Sequence, residues 1–159
     1  PIVLADHEAK VLAMIHGGWR SLATGIVQQT LNVMQLHGAL APRLRVWIGP
    51  GARSCCYRSA LEPTQMNEHD WHSVIDKVEK IEQEKNSSKF EWKIDLPKYI
   101  SQVLINNGVQ KNQIFDEQIC TVCQPQQYYS HQRSKVTGDA DGRFLVATYW
   151  HFNTTTQAE

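Results

Sequence analysis

The chain has 159 residues, 42% of them hydrophobic, and its 16 Lys+Arg balance 16 Asp+Glu to a formal net charge of zero. Such a composition suits one globular domain with enough length to bury a core, and it excludes disordered and collagenous classes. Charge neutrality provides no electrostatic footprint for nucleic acid or an anionic membrane, so an anionic partner is expected to be small.

Pro1 to Ala5 is apolar and β-prone from its first residue and reads as a strand already under way. Asp6 to Lys10 is turn-like, and Val11 to Ile15 makes a second short strand ending at His16. Gly17-Gly18 breaks the pattern, after which Leu22, Ile26, Val27, Leu31 and Met34 recur at helical spacing until Gly38, predicting one helix from Ser21. A third strand, Leu44 to Ile48, ends in the turn signal Gly49-Pro50-Gly51, which leaves Cys55, Cys56 and Tyr57 on a loop. Met66, Trp71, Val74, Ile75 and Val78 predict a helix over Pro63 to Val78 carrying His72, and the charged Lys77 to Lys89 reads as a solvated surface excursion. A strand over Phe90 to Ile94, a helix over Leu96 to Leu104, and strands over Gln113 to Ile119 and Arg143 to Trp150 complete the elements. The longest apolar runs are far short of the ~20 residues a bilayer crossing needs, and no signal-peptide pattern is present, so a cytoplasmic setting is expected. Alternating strands and helices predict an α/β (α+β) domain with a mixed β-sheet core covered by helices, over residues 1–152, followed by a polar tail at 153–159.

Several residues near the turns are suited to chemistry. His16, Cys55 and His72 are ligand types that zinc prefers, and three protein ligands with an open position is the catalytic arrangement; a turn-bonded His16, a buried Cys55 and an exposed His72 fit the same spacing without metal. The turn Gly17-Gly18-Trp19-Arg20 opens a helix and offers backbone N–H groups plus a guanidinium to an anion such as phosphate, with an ordinary ion pair at Arg20 as the alternative. Tyr128 to Arg133 packs aromatic, hydroxyl, imidazole and guanidinium groups into six residues, as a wall of a small-molecule site would. Cys120-x-x-Cys123 fits a redox motif poorly, because Gln124-Pro125 starts a helix badly. A four-cysteine zinc site with Cys55-Cys56 is disfavoured too, since adjacent ligands on one strand or loop point in divergent directions.

His16-Gly17-Gly18-Trp19-Arg20, Gly49-Pro50 followed by Cys55-Cys56-Tyr57, Cys120-Thr121, and the segment from Ser130 and Arg133 to Gly142-Arg143 occur in an order that resembles the YfiH-like family. That family was described as multicopper polyphenol oxidases or laccases and is now regarded as purine nucleoside phosphorylases with adenosine deaminase activity. The resemblance implies a YfiH-like, cysteine-hydrolase-type fold and a single zinc held by His16, Cys55 and His72, with His69 as the substitute for His72. It implies purine nucleoside and phosphate as small-molecule partners, contacted by Arg20, Tyr57, Tyr129, Ser130 and Arg133, in a monomer or homodimer. Methylthioadenosine phosphorolysis belongs to the same implied activities. Against the family pattern, Gly17 stands for the usual alanine, and Tyr129-Ser130-His131-Gln132-Arg133 loses the first of two arginines. The family's front segment has no counterpart before Pro1, so the chain is expected to be the back portion of a larger domain.

Three rival readings use the same residues. Copper is the alternative metal, for a polyphenol oxidase, but the His-x-His pairs of a trinuclear copper cluster are missing from the sequence. A metal-free cysteine hydrolase would use Cys55 as nucleophile with His72 or His16 as base, on a cell-wall precursor. The last is an inactive domain that binds a nucleoside.

Overall fold

The computed structural model describes residues 1–59, 75–77 and 92–151. Strands β1 (Ile2–Asp6) and β2 (Val11–Ile15) pair antiparallel with Ile2 opposite Ile15 and Asp6 opposite Val11. Lys10, at φ 57°, takes the left-handed conformation that lets so short a connection reverse. Strand β3 (Arg45–Ile48) lies antiparallel on the other side of β1, and β7 (Ile114–Asp116) adds parallel to β3, giving a mixed sheet in the order β2-β1-β3-β7. Strands β4 (Arg58–Ser59), β5 (Ile75–Lys77) and β6 (Trp92–Ile94) form a second, smaller sheet in the order β4-β6-β5.

Alternation decides which face is buried. Ile2, Leu4 and Asp6 point to one side of β1, and their cross-strand partners Ile48 and Val46 share that side. Helices α2 (Ile26–Leu36) and α3 (Leu96–Asn106) cover it, the first through Val27, Leu31 and Met34 and the second through Leu96, Tyr99, Ile100 and Leu104. Asp95 caps α3 by accepting the Lys98 N–H at 3.0 Å, and Pro97 sits in the first turn, where no intrahelical donor is lost. Gly108, at φ 88°, ends that helix.

One buried charge stabilises the far end of β1. Asp6 is fully buried, and its carboxylate accepts the N–H groups of Glu8 and Ala9 at 3.0 Å each on Oδ1, then Leu40 N–H at 2.9 Å and Arg43 Nη2 at 2.8 Å on Oδ2. Burial alone would raise its pKa; the backbone donors and the guanidinium outweigh that and hold it at about 2.

Three expectations are corrected. The helix expected from Ser21 divides into α1 (Trp19–Ala23) and α2, because Gly25 adopts φ 77° between them. The helix expected through Val78 is a strand in its described part, since Ile75–Lys77 pairs antiparallel with β6, Ile75 opposite Ile94. Arg143 to Trp150 joins no strand among the described residues. It does alternate, with Val146, Thr148 and Trp150 half-covered between exposed Leu145, Ala147 and Tyr149. Period-two covering therefore arises there without a ladder, Trp150 resting edge-on against His7 with ring centroids 5.6 Å apart.

Candidate functional site

Because β2, β3 and β7 run in one direction and β1 in the other, the C-terminal ends of all three parallel-running strands leave the sheet at the same edge. His16 follows β2, the loop from Gly49 to Tyr57 follows β3, and the loop from Glu117 to Cys123 follows β7. Sheet topology thus gathers segments more than a hundred residues apart in sequence.

At the first segment, His16 is exposed and its carbonyl accepts the Ser21 hydroxyl at 2.6 Å, which closes the turn into α1. A Cβ on Gly18 would lie 2.6 Å from His16 Nε2, so glycine here leaves room for the imidazole to fold over the backbone. A Cβ on Gly17 would meet only the tips of Ile2 and Ile100, at 2.8 and 3.1 Å. Helix α1 has five residues, too few for an appreciable macrodipole, so the anion site expected at its start rests on Arg20 alone. Arg20 is exposed, with its guanidinium 4.9 Å from the Trp19 ring centroid. Burial raises the Tyr57 hydroxyl to about 12, against an opposing pull from the Arg20 charge, which ties the His16 segment electrostatically to the cysteine loop.

The second and third segments are joined by backbone. Gly51 and Cys120 form a parallel bridge, with Gly51 N–H donating to Ile119 O at 3.2 Å and Thr121 N–H to Gly51 O at 3.1 Å. Arg53, with 11% of its side chain exposed, reaches Asp116 at 2.7 Å and Ile119 O at 3.2 Å. Sequence reasoning did not single out Arg53, Asp116 or Arg58, whose guanidinium donates to Ser54 O and Cys55 O; nothing in their local spacing marks them as braces.

Those braces bring four thiols together. The sulfurs of Cys55, Cys56, Cys120 and Cys123 lie within 4.8 Å of one another, Cys55 3.8 Å and Cys56 3.3 Å from Cys123. The objection that Cys55 and Cys56 must diverge fails because they lie in a tight turn, where Cys56 and Tyr57 N–H both donate to Arg53 O at 2.9 and 2.7 Å. A turn separates successive side chains by far less than the half-turn of a strand. Cys123 N–H donates to Cys120 O at 3.2 Å, so the second pair also lies on a turn. Burial raises the Cys120 thiol, but backbone N–H groups of Arg53, Cys123 and Val122 and a hydrogen bond from Cys55 bring it down to about 7. Burial raises Cys55 and Cys56. Of these three, Cys120 is thus the thiol most readily deprotonated.

The remaining expected residues lie on or before α4 (His131–Thr137). Ser130 is buried and caps it, its hydroxyl accepting Arg133 N–H at 3.3 Å. Arg133 is nearly buried, and its guanidinium donates to Thr121 O at 2.8 Å, Tyr128 O at 2.9 Å and Asp139 at 3.2 Å. It fastens the Cys120 turn to α4. Tyr129 is 51% exposed, and its ring occupies the space a Cβ on Gly142 would need. His72 and His69 lie outside the described residues, while His16 with Arg20 and Cys55 with Tyr57 lie on the segments that follow β2 and β3 at the same end of the sheet.

Comparison with known proteins bears on the fold and the family. A family model for the multi-copper polyphenol oxidoreductase laccase family matches residues 1–149. The chain is 23% identical over 145 residues to a purine nucleoside phosphorylase from Xylella fastidiosa, covering 87% of this chain and 50% of that protein. It is 27% identical over 149 residues to adenosine deaminase RL5 from an unknown prokaryotic organism, covering 94% and 54%. The Bacillus licheniformis hypothetical protein YfiH has the same fold, with a TM-score of 0.70 at 22% identity over 84% of this chain and 49% of that one. The chain thus spans about half the length of the relatives it matches. With nearly the whole sequence matched, the chain belongs to the YfiH-like family, the multi-copper polyphenol oxidoreductase laccase family.

Proposed function

We propose that the chain carries part of the active site of a zinc-dependent purine nucleoside phosphorylase, with His16, Cys55 and His72 as metal ligands. The observation that supports this best is the delivery of His16 with Arg20, and of Cys55 with Tyr57, to one edge of the sheet in a chain whose relatives are named for that activity. Imidazole and thiolate are the donors zinc favours, and a zinc bound there would supply a Lewis acid, or a bound water of lowered pKa. Arg20, exposed and without a carboxylate partner among the described residues, binds phosphate and offsets its charge. Tyr129 offers a half-exposed ring on which a purine stacks. Arg133 acts one step back, holding the Cys120 turn against α4, the helix that Ser130 caps.

Deamination of adenosine at the same site is the second reading, favoured by the name of the RL5 relative. Copper remains the alternative metal that the family's description suggests, and metal analysis after expression in balanced medium separates the two. The deciding assay incubates the chain with inosine or adenosine, phosphate and zinc, and follows free base by chromatography. Release that requires both phosphate and zinc, and that falls more than about a hundredfold in His16→Ala, supports the reading. Undiminished release in that variant overturns it.

A further inference from the structure

The four-thiol cluster is not absorbed by the ligand set above, which uses Cys55 alone. Four thiolates around a zinc ion at about 2.3 Å stand some 3.8 Å from one another at tetrahedral angles. The Cys55 and Cys123 sulfurs are 3.8 Å apart, Cys56 and Cys123 3.3 Å, and no pair exceeds 4.8 Å. We propose that Cys55, Cys56, Cys120 and Cys123 hold one zinc ion as a structural tetrathiolate site, a second metal position that shares the Cys55 thiolate with the His16 site.

Several features of the fold favour a metal over free thiols. Two pairs arrive on two tight turns, as chelating pairs do, and the turns are locked in register before any metal binds by the Gly51–Cys120 bridge. The Arg53–Asp116 pair and Arg133 fix the same two loops from outside the cluster, so little ordering remains to be done when the ion arrives. Zinc binding changes no oxidation state and releases the thiol protons to solvent. A thiolate keeps lone pairs for a second metal, so Cys55 can serve this site and the His16 site together. The inference does not rest on the phosphorylase reading, because three of its four ligands lie outside that reading's ligand set.

The test uses the full 159-residue chain, reduced and stripped, then titrated with zinc or cobalt ions alone. Cobalt is expected to give the intense charge-transfer and visible bands of a tetrathiolate centre, and zinc X-ray absorption of the His16→Ala chain, in which the His16 position is not loaded, to fit four sulfurs at about 2.3 Å. Cys123→Ser and Cys56→Ser are expected to lose those bands and one equivalent of zinc. Cys123→His, which restores a ligand, is expected to regain the equivalent with three sulfurs and one nitrogen. His16→Ala is expected to keep the four-sulfur signal whatever becomes of catalysis, so the two readings fail separately. The proposal is overturned if folded His16→Ala chain, checked by circular dichroism, shows two or fewer sulfurs around the metal. It is equally overturned if Cys56→Ser and Cys123→Ser bind metal with unchanged spectra, or if Cys56 and Cys123 oxidise to a disulfide in the presence of stoichiometric zinc.

Discussion

Replacing Asp6 by Asn probes the support of the sheet at the end away from the site. The carboxylate accepts two backbone N–H groups on Oδ1, and on Oδ2 the Leu40 N–H together with Arg43 Nε at 3.0 Å and Nη2 at 2.8 Å. Asparagine keeps one oxygen for Glu8 and Ala9, but its amide then presents N–H donors to three other donors. Breaking a buried ion pair from one side costs about 3–5 kcal/mol. Arg43 is 29% exposed and retains Glu8 and Gly38 O as partners, so water relieves part of the loss and about 3 kcal/mol is expected. For a chain of this size that lowers Tm by about 6–12 °C. Glu8→Gln, at a side chain 72% exposed, is expected to cost under about 0.5 kcal/mol. The sign of the pH dependence follows from a folded-state pKa held below the ordinary value of 3.8: Asp6 stabilises fully above that value, and its contribution is lost as pH falls through about 2. Urea unfolding of the three proteins at neutral pH, with m-values compared, measures the difference, and wild type followed toward pH 2 gives the titration. An Asp6→Asn protein no less stable than Glu8→Gln would refute the account of the carboxylate as the organiser of that turn. Zinc content per folded chain should be unchanged, since Asp6 and the ligands leave the sheet from opposite ends.

Two substitutions test the site's scaffold. Gly18→Ala needs no unusual backbone angle, but its Cβ would displace the His16 imidazole. Weaker zinc binding at the His16 site is therefore expected with Tm nearly kept, whereas Gly17→Ala, meeting only isoleucine tips, should cost about 1 kcal/mol and leave metal binding alone; calorimetry with zinc compares them. Arg53→Gln removes the bonds to Asp116 and to Ile119 O from a nearly buried side chain, and should cost about 1–3 kcal/mol. It should also speed the reaction of the four cysteines with a thiol reagent, and an unchanged rate would show that Arg53 does not hold the loops.

What was legible in the sequence was what local pattern decides. The β1–β2 hairpin shows as two short apolar runs around a polar turn, and α3 shows through its apolar spacing from Leu96 to Leu104, because each is stabilised by neighbours in sequence. Gly25 was harder to read: a glycine inside a helical pattern is tolerated as often as it breaks one, and here the left-handed φ settles the matter. Arg143 to Trp150 has a strand's period but lacks a ladder among the described residues, and a ladder partner is a property of the tertiary structure.

The cysteines show the same limit at the level of the site. His16, Cys55 and the Gly-Pro turn were found by their order along the chain, which a family motif preserves. Divergence of adjacent ligands on a strand or loop argues against Cys55 and Cys56 in one site, and it fails here because a tight turn separates successive side chains by less than a strand does. What converts the turn into a converging pair is Arg53 O accepting two successive N–H groups, while Arg53's own side chain reaches across to Asp116 and Ile119. A residue 63 positions away from Asp116 in sequence thus sets the direction of Cys55 and Cys56 toward Cys123. Thiol geometry at this edge follows from an arginine that carries no chemistry of its own, so Arg53 and Asp116 should be varied alongside the cysteines in any dissection of the site.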